Sequence, residues 1–170
     1  MATKTTAESW LAGRLPTDWF TGPVEVTRDR DELIIIGQLA EPELGDDTDD
    51  TDRAIAARGR IKSFREDTRE RRIEIARELE HLSGRKVSWA VKVGDQEILF
   101  THLAAPVMTR LRQPERKVLD TLVDAGVARS RSEALAWCVK LVAERSDSWL
   151  AELREAMGRV EEVRKKGPAA

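Results

Sequence analysis

Residues 53–82 run without a proline and with a single glycine, Gly59, between two pairs of short segments in which apolar and polar side chains alternate. A breaker-free stretch of that length predicts a long helix, with its regular part starting near Arg60. The alternation on either side predicts strands. Residues 24–28 alternate as a half-buried strand does, Asp29, Arg30 and Asp31 make a turn, and 32–39 return the chain. The centre of that second strand, Leu33, Ile34, Ile35 and Ile36, is aliphatic throughout, so burial on both faces is expected. After the helix, Val87, Trp89, Val91 and Val93 share one face of a strand over 87–93. Gly94 and Asp95 turn, and 97–101 return. The order is β-β-α-β-β: two hairpins joined by a helix. It is not a parallel βαβ repeat, and the chain has no glycine-rich phosphate loop, so a dinucleotide fold is not expected.

The helix carries two further patterns. Its apolar stripe is Ile61, Phe64, Ile75, Leu79 and Leu82, with Thr68 on the same face, and Ser83 and Gly84 end it. Beside this stripe lie Arg58, Lys62, Arg65, Arg69 and Arg72, separated by four, three, four and three. Glu66, Glu70, Glu74 and Glu78 form another band. These charges read either as a solvated face laced with ion pairs one turn apart, or as a secondary basic stripe that contacts phosphate or docks a protein partner. The stripe is also a candidate partner for the acids of 41–52.

Those residues hold Pro42, Gly45 and seven acids: Glu41, Glu43, Asp46, Asp47, Asp49, Asp50 and Asp52. A solvated, mobile loop is expected, and the ligand order of a calcium loop is absent. Residues 1–22 read as an irregular arm that tucks Trp10, Trp19 and Phe20 onto the core. The ββαββ region then covers 23–103, and a helical region covers 104–170.

Composition narrows the function classes. With 41% hydrophobic residues a core forms without disulfides, and the single cysteine, Cys138, excludes an internal disulfide and any multi-cysteine metal site. A reducing, cytoplasmic setting is expected, since residues 1–10 hold no apolar run of signal-peptide length and no stretch approaches the roughly 20 apolar residues of a membrane span. Charged residues make up 35%, yet the net charge is −2, so nucleic-acid binding must be argued from where charges sit.

No catalytic constellation is present. His81 and His102 are the only histidines. Glu78 and His81 have the Glu-x-x-His spacing of di-iron bundles, but the second copy that such a site needs is missing. Ser130, Ser132 and Cys138 have no nearby histidine to serve as a base. No cofactor and no enzyme activity are expected. Cys138 reads as core, and Trp89, Trp137 and Trp149 as core or interface anchors.

From Ala105 onward the periodicity changes. An extended piece over 106–112 leads through Pro114 into a helix over 115–124 with Val118, Leu119, Leu122 and Val123 apolar, and Gly126 stops it. Ser130 and Glu133 have the spacing of a capping box, and the helix behind them carries Ala134, Leu135, Trp137, Cys138, Leu141 and Val142. A last helix, over 148–166 behind an Asp147 cap, spaces Leu150, Leu153, Met157 and Val160 by three and four. Packing onto the same chain and a short coiled-coil seam both satisfy that pattern.

The strand ending in Thr109, Arg110 and Leu111, the helix with Val118, Leu119, Asp120, Thr121 and Leu122, then Gly126 and the Ser130, Arg131, Ser132, Glu133, Ala134 run together resemble the ribbon-helix-helix family of DNA-binding proteins over about 105–144. The whole chain also resembles a group of uncharacterised actinobacterial proteins. The ribbon resemblance implies a homodimer whose paired ribbons read the major groove. It implies that Met108, Arg110 and Arg112 point outward, that Val107, Thr109 and Leu111 face the core, and that Ser130, flanked by Arg129 and Arg131, opens a phosphate-holding helix end. The expected fold is therefore α+β: an N-terminal β-hairpin, a long helix, a second β-hairpin, then a ribbon-helix-helix-like strand and helices with a C-terminal helix. The expected function is transcription regulation or nucleoid association through DNA. The alternative is a non-enzymatic protein–protein adaptor whose helix–turn–helix unit only dimerises.

Overall fold

The computed structural model describes residues 2–45 and 47–166, so Asp46 of the acidic stretch lies outside the described residues. The chain divides into two compact units, Met1–Pro106 and Val107–Ala170. The first holds α1 (Ala2–Arg14), β1 (Glu25–Arg28), β2 (Glu32–Gln38), α2 (Asp50–Asp67), α3 (Arg69–Ser83), β3 (Lys86–Val93) and β4 (Gln96–Leu99). The second holds α4 (Gln113–Asp124), α5 (Arg131–Arg145) and α6 (Asp147–Lys166). The class is α+β, as expected.

Both hairpins form, and they join into one sheet in the order β1-β2-β3-β4. The outer pairs are antiparallel and the central pair, β2 with β3, is parallel. One βαβ crossover therefore sits between the hairpins, a pairing that strand order alone did not settle. It follows from α2 and α3 returning the chain to the end where β2 began. The register sets Val26 beside Ile35 and Ile35 beside Trp89 on the core face. Leu11, Leu39, Ile61, Phe64, Ile75, Leu79, Val91 and Phe100 close that core. Trp19, Phe20 and Phe64 meet edge-on or tilted within it, at centroid distances of 5.4 to 6.1 Å. Gly37 is required there, because a Cβ on it would lie 2.2 Å from the Phe20 ring.

Four expectations change. The arm 1–22 is not irregular throughout: Ala2–Arg14 is helical and buries Ala7 and Leu11. Its signal is weak because, among its described side chains, few apolar residues (Ala7, Trp10 and Leu11) reach the core. The expected single helix breaks at Thr68, which ends α2 with φ −99° and ψ 3°. The Thr68 hydroxyl donates to the Phe64 carbonyl at 2.5 Å, a local bond that competes with the helix ladder. The acidic stretch is not wholly a loop. Asp49 caps α2 by accepting from the Asp52 amide at 2.7 Å, and Asp50 and Asp52 sit in the first turn, where the helix dipole favours negative charge. Leu82 is not core: it is 63% exposed, since α3 has turned past the sheet by its last turn.

Candidate nucleic-acid interface

The Val107–Ala170 unit is built around a helix–turn–helix. Pro114 stands in the first turn of α4, where its missing N–H costs nothing. At the far end Gly126 takes φ 73°, while its own amide reaches the Val123 carbonyl and the Val127 amide reaches Leu122. That is a Schellman stop, and it frees the chain to turn into α5. Ser130 then caps α5, its hydroxyl oxygen accepting from the Glu133 amide at 3.2 Å. The Glu133 carboxylate reaches back to the amide of Arg129, at 2.8 Å, rather than to that of Ser130. The expected cap thus forms, with its return bond one residue earlier. Leu119, Ala128 and Ala134 are buried between the helices, with Leu111, Leu122, Val123, Leu135 and Cys138 packed at their edge. Cys138 is thus an edge core residue. Trp89 is buried in the first unit, whereas Trp137 and Trp149 are exposed.

Residues 101–112 pair with no strand among the described residues. Val107 is 87% and Met108 98% exposed, and Thr109, Arg110 and Arg112 are exposed as well. Only Leu111 turns onto the small core. Val107 and Thr109 therefore do not face the core of their own chain, contrary to the alternation: one extended segment over two short helices has only its last apolar residue within reach. A cavity of about 300 Å³ lies between this segment and the helices, lined by Val107, Met108, Leu111, Leu119 and Leu135 with Arg116 and Arg131 at its edge.

The arginines around the turn differ in what holds them. Arg131 makes two bonds to the Asp120 carboxylate, at 2.6 and 2.8 Å, bracing α5 against α4. The Arg131 hydrogen bond holds Asp120 below the usual carboxylate range and raises Arg131 in turn. Arg116 donates to the Leu111 carbonyl at 2.7 Å and fixes the end of the extended segment. The side chains of Arg110, Arg112 and Arg129 make no hydrogen bond or ion pair among the described residues and point to solvent.

The second basic stripe comes apart. Arg72 is buried, donating to the Thr68 hydroxyl at 3.0 Å and to the Arg65 carbonyl at 2.7 Å, with its guanidinium 4.6 Å over the Phe100 ring. Burial, with Arg65 and Arg69 nearby, pushes it down to about 10. The break at Thr68 explains this placement, because it leaves the Arg65 carbonyl without the amide that a continuous helix would supply. Arg65 lies over the same ring at 5.5 Å, Lys62 faces Glu66 and Arg69 pairs with Glu70. Only Arg58 of the five has no side-chain partner among the described residues. Glu78 accepts from two nitrogens of Arg14, Nη2 at 2.6 Å and Nε at 2.8 Å, and His81 is exposed. The described residues contain no cluster fit for a metal ion, and none of their helices is long and apolar enough to cross a membrane.

Residues 5–99 match the family described as Rv1265-like protein, N-terminal domain, and residues 112–164 match the Mb1296 C-terminal domain. The chain is 56% identical over 162 residues to the uncharacterised protein Mb1296 of Mycobacterium bovis, covering 95% of this chain and 70% of the relative. The same figures hold for the uncharacterised protein Rv1265 of Mycobacterium tuberculosis. No solved structure matches. With both domain descriptions matched in order and more than half of the aligned residues identical, the chain belongs to the Rv1265-like family of mycobacterial proteins.

Proposed function

We propose that this protein is a cytoplasmic, non-enzymatic, homodimeric DNA-binding protein, a transcription regulator or a nucleoid-associated protein, of ribbon-helix-helix type. The observation that supports this reading most is the segment over 107–110. It is neither helix nor strand, exposed and paired with no strand among the described residues, yet it carries Val107 and Met108. A strand with free backbone groups and apolar side chains is completed by pairing with another strand. A second copy supplies one, and the antiparallel pair covers Val107 and Thr109 on one face. The other face then presents Met108, Arg110 and Arg112 twice. Arg110 and Arg112 suit guanine, to which an arginine donates two bonds, and Arg129 beside the capped start of α5 suits phosphate.

A second reading rests on the carboxylates of Asp120 and Glu133. They occupy Arg131 and the Arg129 amide at the same helix end. Among the described residues this leaves Arg129 at that helix end with no side-chain partner, and it favours an adaptor that dimerises without touching DNA.

Binding to genomic fragments at two salt concentrations separates the two. A DNA reader loses affinity steeply as salt rises, because phosphate contacts release counterions. Arg110→Ala in that protein keeps its fold and dimer and gives up specificity, at about 1–3 kcal/mol per lost base contact. Absence of salt-dependent binding overturns the DNA reading and leaves the adaptor, and unchanged binding by Arg110→Ala removes Arg110 as a groove contact and counts against the ribbon.

A further inference from the structure

The last helix is amphipathic with nothing over its apolar side. α6 runs for 20 residues and none of them is buried. Trp149 is 57%, Leu153 42%, Val160 59% and Val163 69% exposed. With Ala156 they follow one another at spacings of four, three, four and three, the repeat of a coiled-coil seam. Helices in proteins draw most of their stability from packing an amphipathic face, so a seam of this kind calls for a partner surface.

The charges on α6 identify that partner. Its first half carries Asp147, Glu152 and Glu155 against Arg154, and its second half carries Arg159, Arg164, Lys165 and Lys166 against Glu161 and Glu162. The acidic half of one α6 therefore matches the basic half of another running the opposite way. We infer that α6 pairs antiparallel with α6 of a second copy of this chain. In that register Trp149 meets Val160 and Leu153 meets Ala156 across the seam, large against smaller at each layer. The flanking positions bring Glu152 to Arg159 on one side and Leu150 to Met157 on the other. A parallel pair instead sets Arg159 against Arg164 and stacks Trp149 on itself. This contact does not depend on the ribbon or on DNA, and it is a separate interface from the one over 107–112.

Cysteine pairing tests it in the whole chain. In a Cys138→Ser background, Leu153→Cys and Ala156→Cys are made separately, one with a tag that marks its size, then mixed and oxidised. The antiparallel register gives mainly the mixed disulfide, in several-fold excess over either homodisulfide. Homodisulfides that equal the mixed product overturn the antiparallel arrangement, and no disulfide at all overturns the α6 contact. A charge swap gives a second readout: Glu152→Arg weakens self-association and adding Arg159→Glu restores it. Failure of the restoration also counts against the proposal. DNA binding is followed in the same samples. Loss of the disulfide with salt-dependent binding retained removes this inference alone, and the reverse outcome removes only the DNA reading.

Discussion

Two regions with three helices each bury very different amounts of themselves. In Met1–Pro106, fifteen buried side chains from three helices, three strands and the residues just beyond β2 and β4 form a single cluster that includes Leu11, Ile35, Ile75 and Val91, all fully enclosed. In Val107–Ala170, the cluster has three buried members, two of them alanines. Exposed apolar residues run along all three helices of that unit, from Val118 through Trp137 and Val142 to Val163. Each buried Leu or Ile contributes about 1.5–3 kcal/mol, so burial stabilises the first unit far more than the second. A helical pattern thus announces that a face must be covered. It does not say which chain covers it.

The largest expected effect breaks the comparison directly. Expressed apart, 1–106 melts cooperatively at a temperature independent of its concentration. If the proposed self-association holds, the 107–170 piece is folded at high concentration and unfolded on dilution, because folding and association are then coupled. Circular dichroism melts over a hundredfold concentration range show this, and a concentration-independent melt of 107–170 refutes it.

The sequence was most legible where the core is deepest. Alternation located all four strands to within about two residues, since each has one face on a buried layer. Examples are Trp89, Val91 and Val93 on β3. The parallel pairing of β2 with β3 was not legible, because each strand is mostly buried on both faces and so fits either direction. The helix break was hidden too: Thr68 lies on the apolar stripe and reads as a filler until its hydroxyl is seen on Phe64. In the second unit the starts of α4 and α5 and the stop between them were legible from Pro114, Ser130 and Gly126. The extended segment before them was legible in position only, because alternation states a face and no face exists until a partner strand is present. Arg72 shows the same limit in reverse. Spacing put it on a basic surface, and the break beside it turned it into the core.

Arg72 supplies the next test, an intermediate effect confined to the first unit. Arg72→Lys keeps the charge but not the planar group that bridges the Thr68 hydroxyl and the Arg65 carbonyl while stacking on Phe100. The loss of that stack and of the bond to the carbonyl lowers the stability of 1–106 by about 1–3 kcal/mol. On the proposed DNA reading, binding by the whole chain is unchanged, because the side chain does not face solvent. Chemical unfolding of 1–106 alongside a DNA titration of the whole chain reads both. A stable variant with weakened DNA binding would return Arg72 to the basic surface.

The smallest effect concerns one carboxylate. Asp120 is held below the usual carboxylate range by its hydrogen bonds from Arg131, so in the second unit the braced state is the one with Asp120 ionised. For a lowered carboxylate the contribution to stability is complete above the ordinary aspartate range and is lost as pH falls through the lowered value. Both groups are exposed, so the change in melting is slight, and the useful readout is the titration of Asp120 itself by carboxyl NMR. In the free protein it titrates below an ordinary aspartate, and Arg131→Gln moves it back up. DNA sharpens this further. A phosphate at the start of α5 competes with Asp120 for Arg131, so a DNA reader that uses this end shows Asp120 rising toward its ordinary range when DNA is added. An adaptor leaves Asp120 where it was. A titration unmoved by DNA, in a protein that still binds DNA in a salt-dependent way, assigns the phosphate contact to Arg129 and keeps Arg131 as a brace between α4 and α5.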